Sequence, residues 1–342
     1  MSQVNLEVGH VRAHSSASDM QAVSYESYGP LEQLALRDRA QPIARAGEVL
    51  VRVHAAALHI ADVFAVRGEP YPVRFVTGLM KPKYGVPGFD VCGVVEAVGT
   101  SVTRVRVGER VFGTCFGSCA QLVSVSEETL AHAPERLSSA QAASLGTSGL
   151  AALHALRECA RIKPGQKLLI NGAAGGIGTF ALQLAKGWGA EVTAVCSGGR
   201  RELMLKLGAD HVIDHTREDF TEGAARYDVI LDNVENHSLE RCRRALTPSG
   251  LLILNSGVGA DGLAFWVRLL KPLVLSPFSK QTYRRYLSVP NHKDLEELAA
   301  LASSGQITPV IGETFPLRET ARALEHIAGG HALGKTIIEV QG

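Results

Sequence analysis

The stretch KLLINGAAGGIGTFALQLAK, residues 167–186, runs from an apolar segment through glycines and alanines into apolar residues at helical spacing. Glycine is costly between a strand and a helix unless the chain must turn tightly or something must approach its backbone. A pyrophosphate suits the pattern, because the amino end of a helix offers unpaired N–H groups and the positive end of its dipole. Ala174, Gly175, Gly176 and Ile177 would meet it, and Gly178 would let the helix press on the sheet. The alternative is a purely structural tight turn. A second pattern bears on which dinucleotide binds. A NAD-binding unit carries an acid about 20 residues past the glycines; here the strand end reads AVCSGGRR, with Ser197, Gly198, Arg200 and Arg201. No carboxylate at that strand end repels a 2′-phosphate, and two guanidinium groups stand near to pair with it. The expected cofactor is NADPH. The alternative is that the arginines are a solvated first helical turn, although cations there oppose the helix dipole. His215, ending the next strand, is expected near the adenosine.

These residues need a scaffold. From about 20 to 140 the segments are short, β-branched and punctuated by Gly or Pro; 49–58, 90–99 and 110–115 read as strands. Residues 138–160 are rich in alanine and leucine and read as one or two helices. Strands are expected near 163–170, at 191–196, 211–214, 227–234 and 250–257, with a helix over 200–209 ended by Gly208. The chain closes with a strand, a helix over 317–328 and a strand over 335–340. Alternation of this kind implies a parallel sheet of βαβ units, placing the glycine loop where a dinucleotide fingerprint must lie.

A chain of 342 residues fits about two domains. A net charge of +1 gives no reason to expect nucleic acid or an acidic membrane as partner. The six cysteines are scattered over residues 92–242, which favours a reducing compartment over a disulfide framework, and a cytoplasmic location is expected. The most apolar window, LAFWVRLLKPLVLSPF at 263–278, carries Arg268, Lys271 and Pro272 and is too short and interrupted to span a bilayer. It reads as a buried helix or flap, or as a cover over substrate or a dimer contact. Residues 1–19 read as a polar tail without a secretory signal.

VPGFDVCGVVEAVGTSVTRVRVGERVFG (86–113), GAAGGIG (172–178), LGADHVIDHTREDF (207–220), YDVILDNV (227–234) and GKTIIEV (334–340) together resemble the zinc-independent medium-chain dehydrogenase/reductase family, quinone oxidoreductase group. The resemblance covers nearly everything from Met20 onward. It implies an α/β chain in which a GroES-like β-rich catalytic domain (20–143 and 308–342) flanks a Rossmann doubly wound parallel-sheet domain (144–307), with the substrate cleft between them. Asn233, Val234, Ser256, Gly257 and Lys335 complete the expected cofactor-binding set. A homodimer is also implied.

In zinc alcohol dehydrogenases the catalytic metal is held by a Cys, a Gly-His-Glu and a second Cys. The corresponding positions here read His59, Gly88-Phe89-Asp90 and Ser144. A zinc site needs at least three protein ligands, and Phe89 cannot be one, so no metal is expected. The structural zinc lobe would need four cysteines; this stretch offers Cys115 and Cys119. The candidate catalytic residues are His59, which could donate to the acceptor oxygen or pack near Asp62 or Asp90; Asp62 beside it; and Tyr71, close to where enoyl-thioester reductases keep a tyrosine. The expected activity is metal-free hydride transfer from NADPH to small-molecule quinones or α,β-unsaturated carbonyls. The alternatives are 2-enoyl-thioester reduction, with Lys81, Lys83, Arg284 and Arg285 available for a substrate phosphate, and a non-catalytic NADPH-binding protein.

Overall fold

The computed structural model describes residues 19–255, 280–330 and 332–340. The tail up to residue 18, the apolar window at 263–278, Ser256 and Gly257 lie outside the described residues.

Strands β1 (Asp19–Ser24) and β2 (Ala35–Ala40) pair antiparallel ahead of the first large sheet. That sheet contains β3 (Glu48–Leu58), β4 (Asp90–Val98), β5 (Arg110–Thr114), β6 (Leu122–Ser126) and β7 (Leu130–His132). Helix α1 (Ile60–Arg67) and the short α2 (Arg74–Thr77) sit between β3 and β4. The sequence reading expected only strands there, since a single eight-residue helix carries little periodicity. Alternation in β3 buries Val49, Val51 and Val53 on one face, as a half-buried strand requires.

The alanine-rich stretch forms α3 (Ser139–Ser144) and α4 (Thr147–His154), and a π-helical turn follows over Ala155–Ala160. Ser138 and Gln141 cap α3 reciprocally. Then β8 (Lys167–Asn171), α5 (Gly176–Gly187), β9 (Glu191–Cys196), α6 (Arg201–Lys206), β10 (His211–Asp214), β11 (Tyr227–Asp232), α7 (Leu239–Ala245), β12 (Leu246–Leu254) and β13 (Thr282–Arg284) build the second sheet and its cover. All its pairings are parallel, in the order β10-β9-β8-β11-β12-β13. This is the doubly wound order, which reverses between β8 and β11 and opens a crevice at their carboxyl ends.

After α8 (His292–Ser304), β14 (Ile311–Pro316), α9 (Thr320–Ala328) and β15 (Lys335–Glu339) return the chain to the first sheet, ordered β14-β15-β3-β4-β5-β7, with β6 on β3. β15 pairs antiparallel with β3, so residues almost 280 apart, Leu58 and Thr336, face each other. Just before β15, Gly334 N–H donates to Ala174 O at 2.8 Å, tying that strand to the glycine loop of the other sheet. One apolar core runs through both sheets, from Ala55, Cys92 and Phe112 to Ile170, Leu231 and Ile253, with Leu150 and Leu153 of α4 between them.

Phe180 on α5 is fully buried in that core, beneath the glycine loop. Phe180→Ala is expected to cost about 3–5 kcal/mol, read as a lower urea midpoint with an unchanged slope.

Candidate functional site

The crevice begins at the glycine loop. Gly172 turns with φ +76°, in the left-handed region, and its missing Cβ leaves room for Val234, whose Cγ2 would otherwise lie 2.8 Å away. Gly178 faces Gly172 O and Ala173 so closely that a Cβ would sit 2.4 Å from that oxygen, which presses α5 onto the loop. Gly175 caps α5 with no side-chain acceptor for the first N–H groups of the helix, and the space before it is open apart from Gly172 O at 3.5 Å. Backbone donors at a helix amino end, unmet by side chains, fit a pyrophosphate.

Beside the loop, Asn233 donates to Asn171 O and accepts from Asn255. Asp232 is fully buried; its Oδ1 accepts from Asn171 Nδ2 and from the N–H groups of Val234 and Glu235, while its Oδ2 has no partner. Burial pushes the Asp232 carboxyl up. The structure therefore brings Asn233 and Val234 to the mouth of the loop, with Asp232 holding the turn.

At the end of β9, Ser197 opens a short 3-10 turn over Gly198–Arg200. Arg200 reaches Ala332 O at 3.3 Å, and Arg201 turns toward Val212 O at 2.9 Å on β10. An acid missed in the sequence reading stands here. Asp214 ends the neighbouring strand, and a Cβ on Gly198 would fall 2.4 Å from its Oδ2. Thr216 supplies N–H and hydroxyl donors to Asp214 and, with the N–H of Gly198, holds its carboxyl below the usual range. His215 is exposed, its N–H on Cys196 O.

Across the crevice, His59 follows β3 and caps α1. Its Nδ1 accepts from Ala61 N–H at 3.2 Å, while Asp62 Oδ2 accepts from His59 N–H at 2.8 Å, completing a capping box. Asp62 Oδ1 takes Gly88 N–H at 2.8 Å. Asp62 is thus fully buried with both oxygens on backbone donors, and it positions His59 instead of facing the crevice. Burial, then the nearby Lys335 charge, push the His59 imidazole down, against the pull of Asp62 and Asp90. A neutral ring with Nδ1 accepting carries its proton on Nε2, and Nε2 is buried without a partner. Phe89 stacks on the ring at 5.2 Å, nearly parallel.

Of the other two candidates, Tyr71 lies apart from this geometry and Lys335 borders it. Tyr71 is 71% exposed under the Arg74 guanidinium, 4.3 Å from the ring centroid. Lys335, a candidate for the cofactor-binding set, is buried with Nζ on Asp90 Oδ2 at 3.1 Å. Asp90 Oδ1 accepts from Thr147 N–H and hydroxyl at 2.7 and 2.6 Å. The Lys335 stem still lines the loop, since a Cβ on Gly176 would lie 3.0 Å from its Cδ. The Asp90–Lys335 pair was not anticipated; no local pattern joins residues 245 apart.

At the positions that correspond to the zinc-type donor set, Phe89 offers no ligand atom and most of the other donors are engaged. Asp90 is saturated by Thr147 and Lys335, and His59 Nδ1 is taken by Ala61. Ser144 donates to Ala140 O. Cys115 and Cys119 are free thiols, pushed up by burial. Among the described residues the one His/Cys/Asp/Glu group within metal-binding reach is His154, Glu158 and Asp294, and Arg157 already pairs with its carboxylates.

Because His59 is held neutral when folded, the unfolded chain binds a proton there that the folded chain refuses. The folded pKa lies below the unfolded value of about 6.5. The wild-type chain is therefore expected to lose stability relative to His59→Gln as pH falls from 7 toward 5, with no such difference above 7.5. Parallel urea titrations at these pH values check this.

Two family profiles match the chain, the alcohol dehydrogenase GroES-like domain over residues 45–163 and the zinc-binding dehydrogenase over 207–338. Mouse NAD(P)H oxidoreductase RTN4IP1, mitochondrial, is 32% identical over 335 residues, covering 86% of this chain and 82% of that protein. Tomato 2-methylene-furan-3-one reductase is 31% identical, covering 95% and 80%. The quinone oxidoreductase structure from Coxiella burnetii superposes with a TM-score of 0.82 at 29% identity, covering 95% of this chain and all of that one. With the doubly wound sheet, the glycine loop and the returning β15 in place, the chain belongs to the medium-chain dehydrogenase/reductase family of oxidoreductases, in its quinone oxidoreductase group.

Proposed function

We propose that the protein is an NADPH-dependent reductase of quinones or α,β-unsaturated carbonyls, working without metal, with His59 as hydrogen-bond donor to the acceptor oxygen. The observation that carries this reading is the buried, unpartnered Nε2 of His59. A buried donor without a partner is costly, and a site retains one when a ligand will use it. The α1 cap fixes the imidazole through Nδ1, and Phe89 fixes its plane, so the donor needs little reorganisation. NADPH, when bound, supplies the hydride. The first-turn N–H groups of Gly176, Ile177 and Gly178 hold its pyrophosphate, Asn233 and Val234 border the loop, and Ser197 and Arg200 receive the 2′-phosphate. Negative charge gathering on the acceptor oxygen is met by the hydrogen bond from Nε2–H, and the enolate left after hydride addition to an enone takes its proton from water.

The metal-free part of the reading is supported by the saturation of Asp90 and by Phe89 over the imidazole. Relatives named as a quinone oxidoreductase and as a 2-methylene-furan-3-one reductase support the acceptor class. The enoyl-thioester alternative finds less support, because Arg284 is on Cys159 O and Arg285 forms a bidentate pair with Glu235.

His59→Ala is expected to lower kcat for an enone by about 10²-fold while leaving NADPH affinity unchanged, with a smaller loss for 1,4-benzoquinone, which delocalises its own charge. Wild-type rates on both acceptors, from a folded variant, would assign His59 to packing alone. NADPH is expected to bind at least about tenfold tighter than NADH, some 1.4 kcal/mol; equal affinities in fluorescence titration would remove the role given to Arg200. Activity is expected to survive prolonged chelation, and elemental analysis to find no stoichiometric zinc.

A further inference from the structure

Among the described residues, the segment from Arg67 to Tyr84 gathers several exposed large apolar side chains. Phe75 is 76% exposed, Leu79 64% and Met80 92%, with Val76 beside them. Large contiguous apolar patches on a soluble fold mark interaction sites. This one is held on a firm base. Tyr28 hydroxyl bonds Thr77 Oγ1 at 2.8 Å and also donates to Gly78 O, Arg74 Nε donates to Gly68 O at 2.8 Å, and Lys83 N–H donates to Thr77 O at 2.6 Å. The backbone is tied inward and the apolar tips point out.

Charge indicates what covers it. Residues 67–84 carry Arg67, Arg74, Lys81 and Lys83 against a single acid, Glu69, an excess that the chain's net charge of +1 conceals. Long apolar tips flanked by cations are the composition of a segment that lies in an anionic lipid interface. Of the polar groups between the apolar side chains, Thr77 and Arg74 are spent on internal hydrogen bonds, which leaves the cations as the outward polar groups that favour an anionic surface. The patch also continues inward. Tyr84 stacks on Phe116 at 4.3 Å, Phe116 meets Phe89 edge-on at 5.0 Å, and Phe89 lies on His59.

We propose that the segment Tyr71–Tyr84 docks the protein on an anionic bilayer, and that the aromatic row Tyr84–Phe116–Phe89 leads an apolar acceptor from that surface toward His59. The docking stands on the patch alone; the delivery of the acceptor rests on the reductase reading above.

The test is flotation of the full chain with vesicles of phosphatidylglycerol and phosphatidylcholine, and with phosphatidylcholine alone. Binding is expected to the anionic vesicles only and to weaken in high salt. Phe75→Glu/Met80→Glu, at exposed positions that leave the fold intact, is expected to lower the bound fraction at least about tenfold while 1,4-benzoquinone is reduced at the parent rate in free solution. No flotation with anionic vesicles, equal flotation with phosphatidylcholine alone, or a variant that floats like its parent would overturn the proposal. So would a variant that loses self-association in light scattering when the parent binds no vesicle, since the covering surface would then be a second copy of the chain. Flotation as expected, without benzoquinone turnover by the parent, would uphold the docking and remove the reductase reading.

Discussion

The contact between Asp90 and Lys335 is the constraint on which the rest of the site depends. Both groups are buried, and two charges taken out of water are tolerated only when they meet each other and their remaining hydrogen-bonding capacity is filled. Thr147 fills the remaining oxygen with two donors. That requirement fixes three pieces of backbone at once: β4, the start of α4, and β15 where it passes the glycine loop. It also favours glycine at two positions. A Cβ at Gly146 would sit 2.5 Å from Asp90 Oδ1, and one at Gly176 would meet the Lys335 stem and Ser148 Oγ at 3.0 Å. The lysine therefore belongs to the wall between the two sheets, and it acts on the crevice through its stem and its charge.

The same economy of buried polar groups decides what His59 can do. Helix α1 opens with N–H groups that need acceptors, and most caps are Ser, Thr, Asp or Asn. An imidazole in that place spends Nδ1 on the helix and has one nitrogen left. Burial and the Lys335 charge keep the ring neutral, so what remains is a donor. Capping and donation are two consequences of one geometry. This differs from a packed histidine satisfied on both sides, as His154 is, with Ser288 on one nitrogen and Asp294 on the other.

The doubly wound sheet was readable because its strands are continuous apolar runs set off by glycine, and the glycine loop because its residue types have few other uses. The return of β15 to β3 was readable only through the family resemblance, since nothing local pairs Leu58 with Thr336. Helix α1 escaped notice although its signature was present, an acid three residues after His59; His is an uncommon cap, and the helix is short. The burial of Lys335 was hidden for a plainer reason. Its partner lies in a distant strand, and a lysine beside a phosphate-binding loop suggests the phosphate. Asp214 is not legible along β9, because the neighbouring strand brings the carboxylate to the same spot.

Asp214 changes how the cofactor preference has to be argued. Absence of an acid at the end of β9 is not absence of negative charge there, because a carboxylate stands against Gly198. Its charge is not free to meet a ligand on equal terms, however. Gly198 N–H and both donors of Thr216 are directed at it, and Arg217 lies 3.9 Å away. A carboxylate so engaged favours backbone donors over a ribose hydroxyl, and it keeps the turn at Gly198 tight, which brings Ser197 and Arg200 to the rim. Discrimination then turns on whether the guanidinium of Arg200, partly held by Ala332 O, gains more from a 2′-phosphate than Asp214 takes away across the turn. On the reading proposed above, a charge-assisted pair with Arg200 outweighs the repulsion of a carboxylate whose charge is already engaged by Thr216 and Gly198.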